Sequence, residues 1–281
     1  MAQQVIHVLK ASGQLAPFDS AKLRKSLHKA GADAGVIDKI LEEIKLGLYD
    51  GISTYKIYQK AFDLLRARSK PTAAKYKLKN AIMELGPSGY PFEKYFAELL
   101  AAQGYKVKTN LVLDGKCVTH EVDVQAEVDN LIHFIECKFH NSRGYVTDVK
   151  ISLYVHSRFI DLRDKQSLLT QNTDKHFKGW VVTNTKFSTD AIQYGQCAGL
   201  ELIAWDFPEG KGIRDMIEKT GLHPVTCLTT LTNNEKQTLL NEKVIVCKDL
   251  IKNVSVLENM GIKPNRLKNI LAEAGELCGG R

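Results

Sequence analysis

The chain predicts an α/β protein: a mixed-sheet core, preceded by a mostly helical region and followed by a small α-helical region. Three observations carry this. Residues 131–138, LIHFIECK, alternate as a strand does, and the turn pair Asp129-Asn130 joins them to the EVDVQAEV run of 121–128 as a hairpin. Over 90–206 the order reads helix, three strands, helix, strand, helix, strand, which is a mixed α/β order. The flanking stretches carry helical spacing and capping residues instead. LGPSGYP at 85–91 marks a boundary by composition, so the expected domains are 1–86, 87–207 and 208–281.

In chain order, VIHVLK, the turn Ala11-Ser12-Gly13 and a polar link to Pro17-Phe18-Asp19 predict a strand, a turn and a second strand start. Asp19 or Ser20 caps a helix over 21–30 with Leu23 and Leu27 as its apolar spine. Helices follow at about 36–49, 53–69 (capped by Ser53) and 72–84. Phe92, Tyr95, Phe96, Leu99 and Leu100 recur at helical spacing after Tyr90, and Gly104 then leads into a short strand. Beyond the hairpin, 147–162 is helical with Val149, Leu153, His156 and Phe159 or Ile160 on one face. Residues 179–185 form a buried strand, 190–199 a helix and 200–206 a strand. Helices are expected at 210–220, from the Thr232/Glu235 capping box to 240, at 247–260, and at 264–277 between the stop Gly261 and the start Pro264.

The 281 residues are 44% apolar, ample for buried cores. No apolar run approaches the ~20 residues needed to span a bilayer, and MAQQVIHVLK lacks a signal-peptide pattern, so a cytoplasmic protein without a membrane partner is expected. Cysteines 117, 137, 197, 227, 247 and 278 form no CxxC pair and no Cys/His cluster, which excludes a recognisable zinc site or disulfide framework; they read as reduced, mostly buried hydrophobes. Residues 1–89 hold 15 Lys+Arg against 8 Asp+Glu, whereas 90–281 hold 24 of each. The excess positive charge therefore lies in the first third, densest at Arg66, Arg68, Lys70, Lys75, Lys77 and Lys79. Such a patch attracts phosphates or serves as a solvated basic face.

The hairpin carries the chemistry. Ile132, Phe134, Glu136 and Lys138 share one face of their strand, and closing the hairpin brings Asp123 beside Glu136. Two carboxylates near an ammonium suit a divalent cation held against a phosphate, because Mg²⁺ prefers oxygen ligands and needs only one or two protein carboxylates. The alternative is that Asp123 caps a turn while Glu136 and Lys138 form a solvated ion pair. Glu93, near the apolar edge of the 90–101 helix, is either a first-turn carboxylate favoured by the helix dipole or a third site acid. His133 faces away from Glu136 and reads as a hydrogen-bonded core or edge histidine rather than a ligand. His140 and Arg143 are placed either to meet a phosphate or as solvated loop residues, and Trp180 and Trp205 read as core.

Gly89, Phe92-Glu93, Gly104-Tyr105, Val122-Asp123-Val124, Glu136-Cys137-Lys138, Val182-Thr183-Asn184, Phe187-Ser188 and Ala191 occur in this order over about 88–206. That series resembles the Mrr-like branch of the PD-(D/E)XK nucleases, known from type IV restriction endonucleases. The resemblance implies a restriction-endonuclease-like core and a Mg²⁺-dependent (or Mn²⁺-dependent) endodeoxyribonuclease. Asp123, Glu136 and the backbone carbonyl of Cys137 would hold the metal, Lys138 would position the water, and Glu93 would be an outer or second-metal carboxylate. A homodimer is expected by analogy with nucleases that cut both strands.

Val8, Lys10, Gly13, Pro17-Phe18-Asp19, Lys22-Leu23, Ser53, Leu64 and Tyr76, over about 3–85, resemble an ATP-cone, a nucleotide-binding regulatory domain. The resemblance implies ATP or dATP as a regulatory ligand, with Lys10 and Lys22 towards the phosphates and the 5–20 segment, which holds the nucleotide-binding candidates Gly13 and Phe18, over the base. Where the family commonly has arginine after the first lysine, this chain has Ala11. No GxxxxGK[ST] is present, so the nucleotide would be a ligand rather than a fuel. The functional expectation is a nucleotide-regulated, metal-dependent DNA endonuclease. The alternatives are a non-catalytic ATP-sensing DNA-binding regulator, or a nuclease acting on RNA or branched DNA.

Overall fold

The computed structural model describes residues 5–279. Residues 1–4, on which the reading of a leaderless N-terminus partly rests, lie outside the described residues. Strand β1 (His7–Leu9) turns through Gly13, at φ +80°, into antiparallel β2 (Leu15–Pro17). Asp19 begins α1 (Ser20–Lys29), its Oδ1 accepting the N–H of Ala21 at 2.9 Å and of Lys22 at 3.3 Å. Next come α2 (Ala34–Lys45), β3 (Ile52–Ser53), which runs parallel to β1, α3 (Thr54–Arg68) and α4 (Lys70–Met83). The Ser53 hydroxyl caps α3 by accepting the Lys56 N–H, as its sequence position predicts. Leu27, Ile37, Ile40, Ile44, Ala61 and Leu65 lie at the centre of this region's core.

The central region holds α5 (Tyr90–Ala101), β4 (Lys106–Asp114), β5 (Thr119–Val128), β6 (Leu131–Lys138), β7 (Val146–Thr147), α6 (Val149–Gln166), β8 (His176–Thr183), β9 (Lys186–Phe187), α7 (Thr189–Cys197), β10 (Glu201–Ile203) and α8 (Ile213–Thr220). The five-stranded sheet runs β10-β8-β6-β5-β4; the β4–β5 and β5–β6 pairs are antiparallel, the β6–β8 and β8–β10 pairs parallel. The mixed α/β class is thus as expected. Val128 pairs with Leu131, so Asp129 and Asn130 are the whole hairpin loop, and Asp129 takes φ +50°, a conformation a short polar side chain tolerates. Ile132, Phe134, Val155, Phe159, Val181 and Leu202 share one core cluster, while His133, Tyr105, Phe96 and Trp180 form a ring cluster.

Helix α6 corrects one expectation. Its buried stripe is Ser152, Val155, Phe159 and Leu162, and Leu153 is exposed. Apolar residues occur all round this helix, at Ile151, Leu153, Tyr154, Val155, Phe159, Ile160 and Leu162, so periodicity alone does not choose between neighbouring faces.

The last elements are α9 (Asn233–Asn241), α10 (Cys247–Lys252), α11 (Ser255–Asn259) and α12 (Pro264–Cys278). The expected Thr232/Glu235 capping box opens α9. The single helix expected over 247–260 is two, because Asn253 leaves the helical region (φ −122°, ψ 68°) and its Oδ1 accepts the Ser255 hydroxyl at 2.7 Å, a local bond that competes with the ladder. The chain forms two compact units, one of residues up to 81 together with those from 223 on, the other of 82–222. Residues 208–222, including α8, therefore fold with the sheet rather than with the C-terminal helices.

Within the first unit, Thr226 donates its hydroxyl to the carbonyl of Ala81 at 2.7 Å, and Arg66 and Lys77 donate to the carbonyls of Thr229 and Thr226. Glu273 of α12 is buried and accepts four hydrogen bonds of 2.7–3.0 Å, from the N–H and hydroxyl groups of both Thr229 and Thr230. All four partners are used as donors, so a carboxylate satisfies them where an amide would set N–H against N–H. Glu273→Gln is expected to lower the stability of this unit by about 2 kcal/mol in urea unfolding. A loss under about 0.5 kcal/mol would show that the cluster is not holding the C-terminal helices.

Candidate active site

The antiparallel ladder between β5 and β6 ends at Val124 opposite Ile135. Beyond it the Asp123 carboxylate takes the place of a backbone acceptor: its Oδ2 accepts the Cys137 N–H at 2.7 Å. Asp123 is thereby held against the two residues that flank Cys137. Glu136 is buried, and both of its oxygens meet cations. Lys138 Nζ donates to Oε1 at 2.5 Å and Arg158 Nη1 donates to Oε2 at 2.6 Å. The other guanidinium nitrogen of Arg158 donates to the carbonyl of Glu121, and its carbon lies 5.2 Å from the Tyr154 ring centre. Val122, Phe134, Val155, Phe159 and Leu162 wall the pair around a 20 Å³ cavity, space for a single water. These apolar walls lower the local dielectric and strengthen each charge interaction.

Glu93 enters from the first turn of α5. Burial, reinforced by the negative charges of Asp123, Glu121 and Glu136, pushes its carboxyl up to about 7. Burial also raises Asp123 to about 6, with Glu136 adding repulsion and the Cys137 N–H opposing it. Both shifts record carboxylates crowded together in a poorly solvated place. A Cβ at Gly89 would stand 3.0 Å from the Glu93 carboxylate, which would have to shift by a few tenths of an ångström. Burial holds the Cys137 thiol well above its ordinary range, so it stays neutral and only its backbone is offered to the site.

The chain after Lys138 is pinned by Asn184, buried at the end of β8. Its side-chain oxygen accepts from the His140 N–H and its amide donates to the His140 carbonyl, both at 2.9 Å. His140 bonds Thr147 through Nε2 and stacks on Tyr145 at 3.9 Å, so its ring is engaged within this loop. His133 is buried among Tyr105 and Trp180 as the strand alternation predicts, yet neither of its ring nitrogens has a hydrogen-bond partner. Burial accordingly depresses its pKa to about 4.

The structure thus gathers Asp123, Glu136, Lys138, the Cys137 backbone and Glu93 as one electrostatic unit. Arg158 is a member that the sequence reading misses, because the expected face of its helix runs through Leu153; its spacing of three from buried Val155 is the signal that places it inward. Among the described residues no group of three or more His, Cys, Asp or Glu side chains is poised to hold a metal. The donors available are two carboxylates and one carbonyl, all hard oxygens, which suits a Mg²⁺ or Mn²⁺ ion that keeps several waters.

In the N-terminal region, Lys10 follows β1 and its ammonium reaches Gln14 at 3.1 Å, across the turn that Gly13 makes. Lys22 is exposed in the first turn of α1, 3.7 Å from Asp19, and Phe18 packs against the core. Members of the basic run are engaged internally, among them Arg66 and Lys77 on carbonyls of the C-terminal segment and Arg68 on Glu43. The patch is in part structural. Among the described residues, no helix is long and apolar enough to cross a membrane.

Residues 6–82 match the ATP cone domain and residues 223–278 match the AF1548-like C-terminal family. An uncharacterized protein of Archaeoglobus fulgidus is 34% identical over 186 residues, covering 65% of this chain and 99% of the relative. The chain belongs to the AF1548-like family. The crystal structure of AF1548, a protein of unknown function, is 33% identical and covers 69% of this chain and all of that one, with a TM-score of 0.55. The restriction endonuclease MspJI in complex with a 27-mer oligonucleotide matches at 13% identity and a TM-score of 0.31, over 56% of this chain and 34% of that one, too slight a likeness to argue from.

In this AF1548-like protein the raised Asp123 has a consequence for stability. A carboxyl whose pKa is higher folded than unfolded binds its proton more tightly in the native state, so its contribution falls as pH rises from its ordinary 3.8 through about 6. Asp123→Asn keeps an oxygen acceptor for the Cys137 N–H and removes the charge. It is expected to stabilise the central unit by about 1 kcal/mol at pH 8, after allowance for solvent screening, with the gain fading towards pH 4. Urea unfolding at the two pH values checks this; an equal effect at both would contradict the crowding.

Proposed function

We propose that this protein is a metal-dependent DNA endonuclease whose activity is regulated by a nucleotide bound to its ATP cone. The observation that carries the reading is the Asp123 carboxylate held on the Cys137 N–H within range of the Glu136 charge, with Lys138 on the Glu136 carboxylate. Asp123, Glu136 and the carbonyl of Cys137 would hold Mg²⁺ or Mn²⁺. A divalent cation so bound would neutralise phosphoryl charge and acidify a coordinated water. The rest falls to the chain itself. Lys138, on the same strand face as Glu136, orients the attacking water. Glu93, whose carboxyl burial and its acidic neighbours push up to about 7, would serve as an outer or second-metal carboxylate. The apolar walls beside Glu136 keep competing water out and the local field strong.

The regulatory half rests on the ATP cone match over 6–82. ATP or dATP is the proposed ligand, with the ammonium groups of Lys10 and Lys22 towards its phosphates and the Gly13 turn and Phe18 towards its base. A second reading, an ATP-sensing DNA-binding regulator without hydrolysis, has one observation in its favour: both Glu136 oxygens are engaged by cations of the chain itself.

Supercoiled plasmid incubated with the full chain, Mg²⁺ and an ATP titration separates the two readings. The parent is expected to nick or linearise the plasmid, and Asp123→Asn, Glu136→Gln and Lys138→Ala each to lose activity by about 100-fold or more. DNA that is bound but left whole by the parent would favour the regulator; three variants as active as the parent would place the chemistry elsewhere.

A further inference from the structure

The geometry points to Arg158 as a resident counter-ion of the carboxylate pair, one that yields its place to a divalent cation and then grips the phosphodiester. This rests on the nuclease reading. Two cations meet Glu136, but they are differently placed. Lys138 is two residues away on the same strand face. Arg158 arrives from α6, at the end of a long side chain, and joins two otherwise separate groups, the Glu136 carboxylate and the backbone carbonyl of Glu121. It thereby supplies positive charge between β5 and β6, at the place where Asp123 and Glu136 would share a metal.

Electrostatics decides how the site responds to a cation of charge +2. The guanidinium is always protonated, so it cannot accommodate the newcomer by losing a proton as a lysine can. Like charges a few ångströms apart in a weakly screened place repel strongly, and the guanidinium occupies Oε2 of the carboxylate that a metal would need. Its second seat is already within reach: the ring face of Tyr154, one turn earlier on α6, lies under the guanidinium, and that tyrosine is half exposed. Released from Glu136, the planar fork offers paired N–H donors that match the oxygens of a phosphate. Arg158 thus balances the Glu136 charge and, once a cation takes that task, binds phosphate.

Mn²⁺ binding to the full chain, followed through the paramagnetic signal of the free ion, tests the first half without reference to turnover. Arg158→Met keeps the length of the stem and removes the charge. It is expected to bind Mn²⁺ about tenfold more tightly than the parent, by relief of charge repulsion, whereas Arg158→Lys returns the affinity towards the parent value. Binding of a short duplex with Ca²⁺ in place of Mg²⁺ tests the second half: Arg158→Met is expected to weaken it about tenfold, through loss of a charge-assisted contact. Mn²⁺ affinity unchanged or weakened in a folded Arg158→Met protein overturns the inference, as does tighter Mn²⁺ binding with undiminished duplex affinity. A parent that binds no Mn²⁺, or binds it as well after Asp123→Asn, overturns the metal site and the nuclease reading with it. A parent that loses Mn²⁺ on that substitution while remaining indifferent to Arg158 overturns this inference alone.

Discussion

The central unit depends on one substitution of a side chain for a backbone. Where the β5–β6 ladder stops at Val124 and Ile135, the Cys137 N–H would be left without a partner, and the Asp123 carboxylate supplies one at 2.7 Å. A buried N–H left unmade costs about 1–3 kcal/mol, so this bond keeps the hairpin closed at its far end. The same bond places a carboxylate beside Glu136. Structure and proposed chemistry therefore meet in one side chain, its oxygen serving the fold and its charge the proposed site.

That closeness is unfavourable in itself. Burial and mutual repulsion raise Asp123 to about 6 and Glu93 to about 7, and the chain offsets the remaining negative charge with Lys138 and Arg158. A structural ion pair would need only one of these cations. Two cations on one carboxylate, with two further acids in range, is an arrangement suited to exchanging charge with a ligand, and perturbed acids gathered in this way are a mark of functional sites. The Glu273 cluster in the other unit shows the contrast. There a single carboxylate meets four donors from two threonines, and its charge is satisfied by hydrogen bonds alone.

Much of this is legible in the sequence because the relevant patterns are local. Strand β6 coincides with the alternating stretch 131–138, the Asp129-Asn130 turn is the hairpin loop, and Asp19, Ser53 and Thr232 cap the helices they precede. The opposition of Asp123 and Glu136 derives from those local facts, since a two-residue loop fixes the register. The features that escape depend on contacts distant in the chain. Arg158 lies 22 residues from Glu136, and its one local signal, a spacing of three from Val155, is masked by the apolar residues on every side of its helix. Arg66 and Lys77 read as a free basic patch because their partners, the carbonyls of Thr229 and Thr226, are 163 and 149 residues away and carry no side-chain signature. The extent of the first unit is hidden for the same reason: its C-terminal helices rejoin the N-terminal region through backbone carbonyls and small hydroxyls that no periodicity records.

Everything proposed for the central unit requires that Asp123, Glu136 and the Cys137 carbonyl act as one cation site. Anomalous diffraction from a crystal grown with Mn²⁺ locates that ion without recourse to activity. A single strong peak is expected at oxygen-ligand distance, roughly 2.2 Å, from all three groups, with the Arg158 guanidinium no longer on Glu136. A Mn²⁺ peak elsewhere in the central unit, or Glu136 still clasped by Lys138 and Arg158 at a metal concentration that saturates the protein, would contradict it.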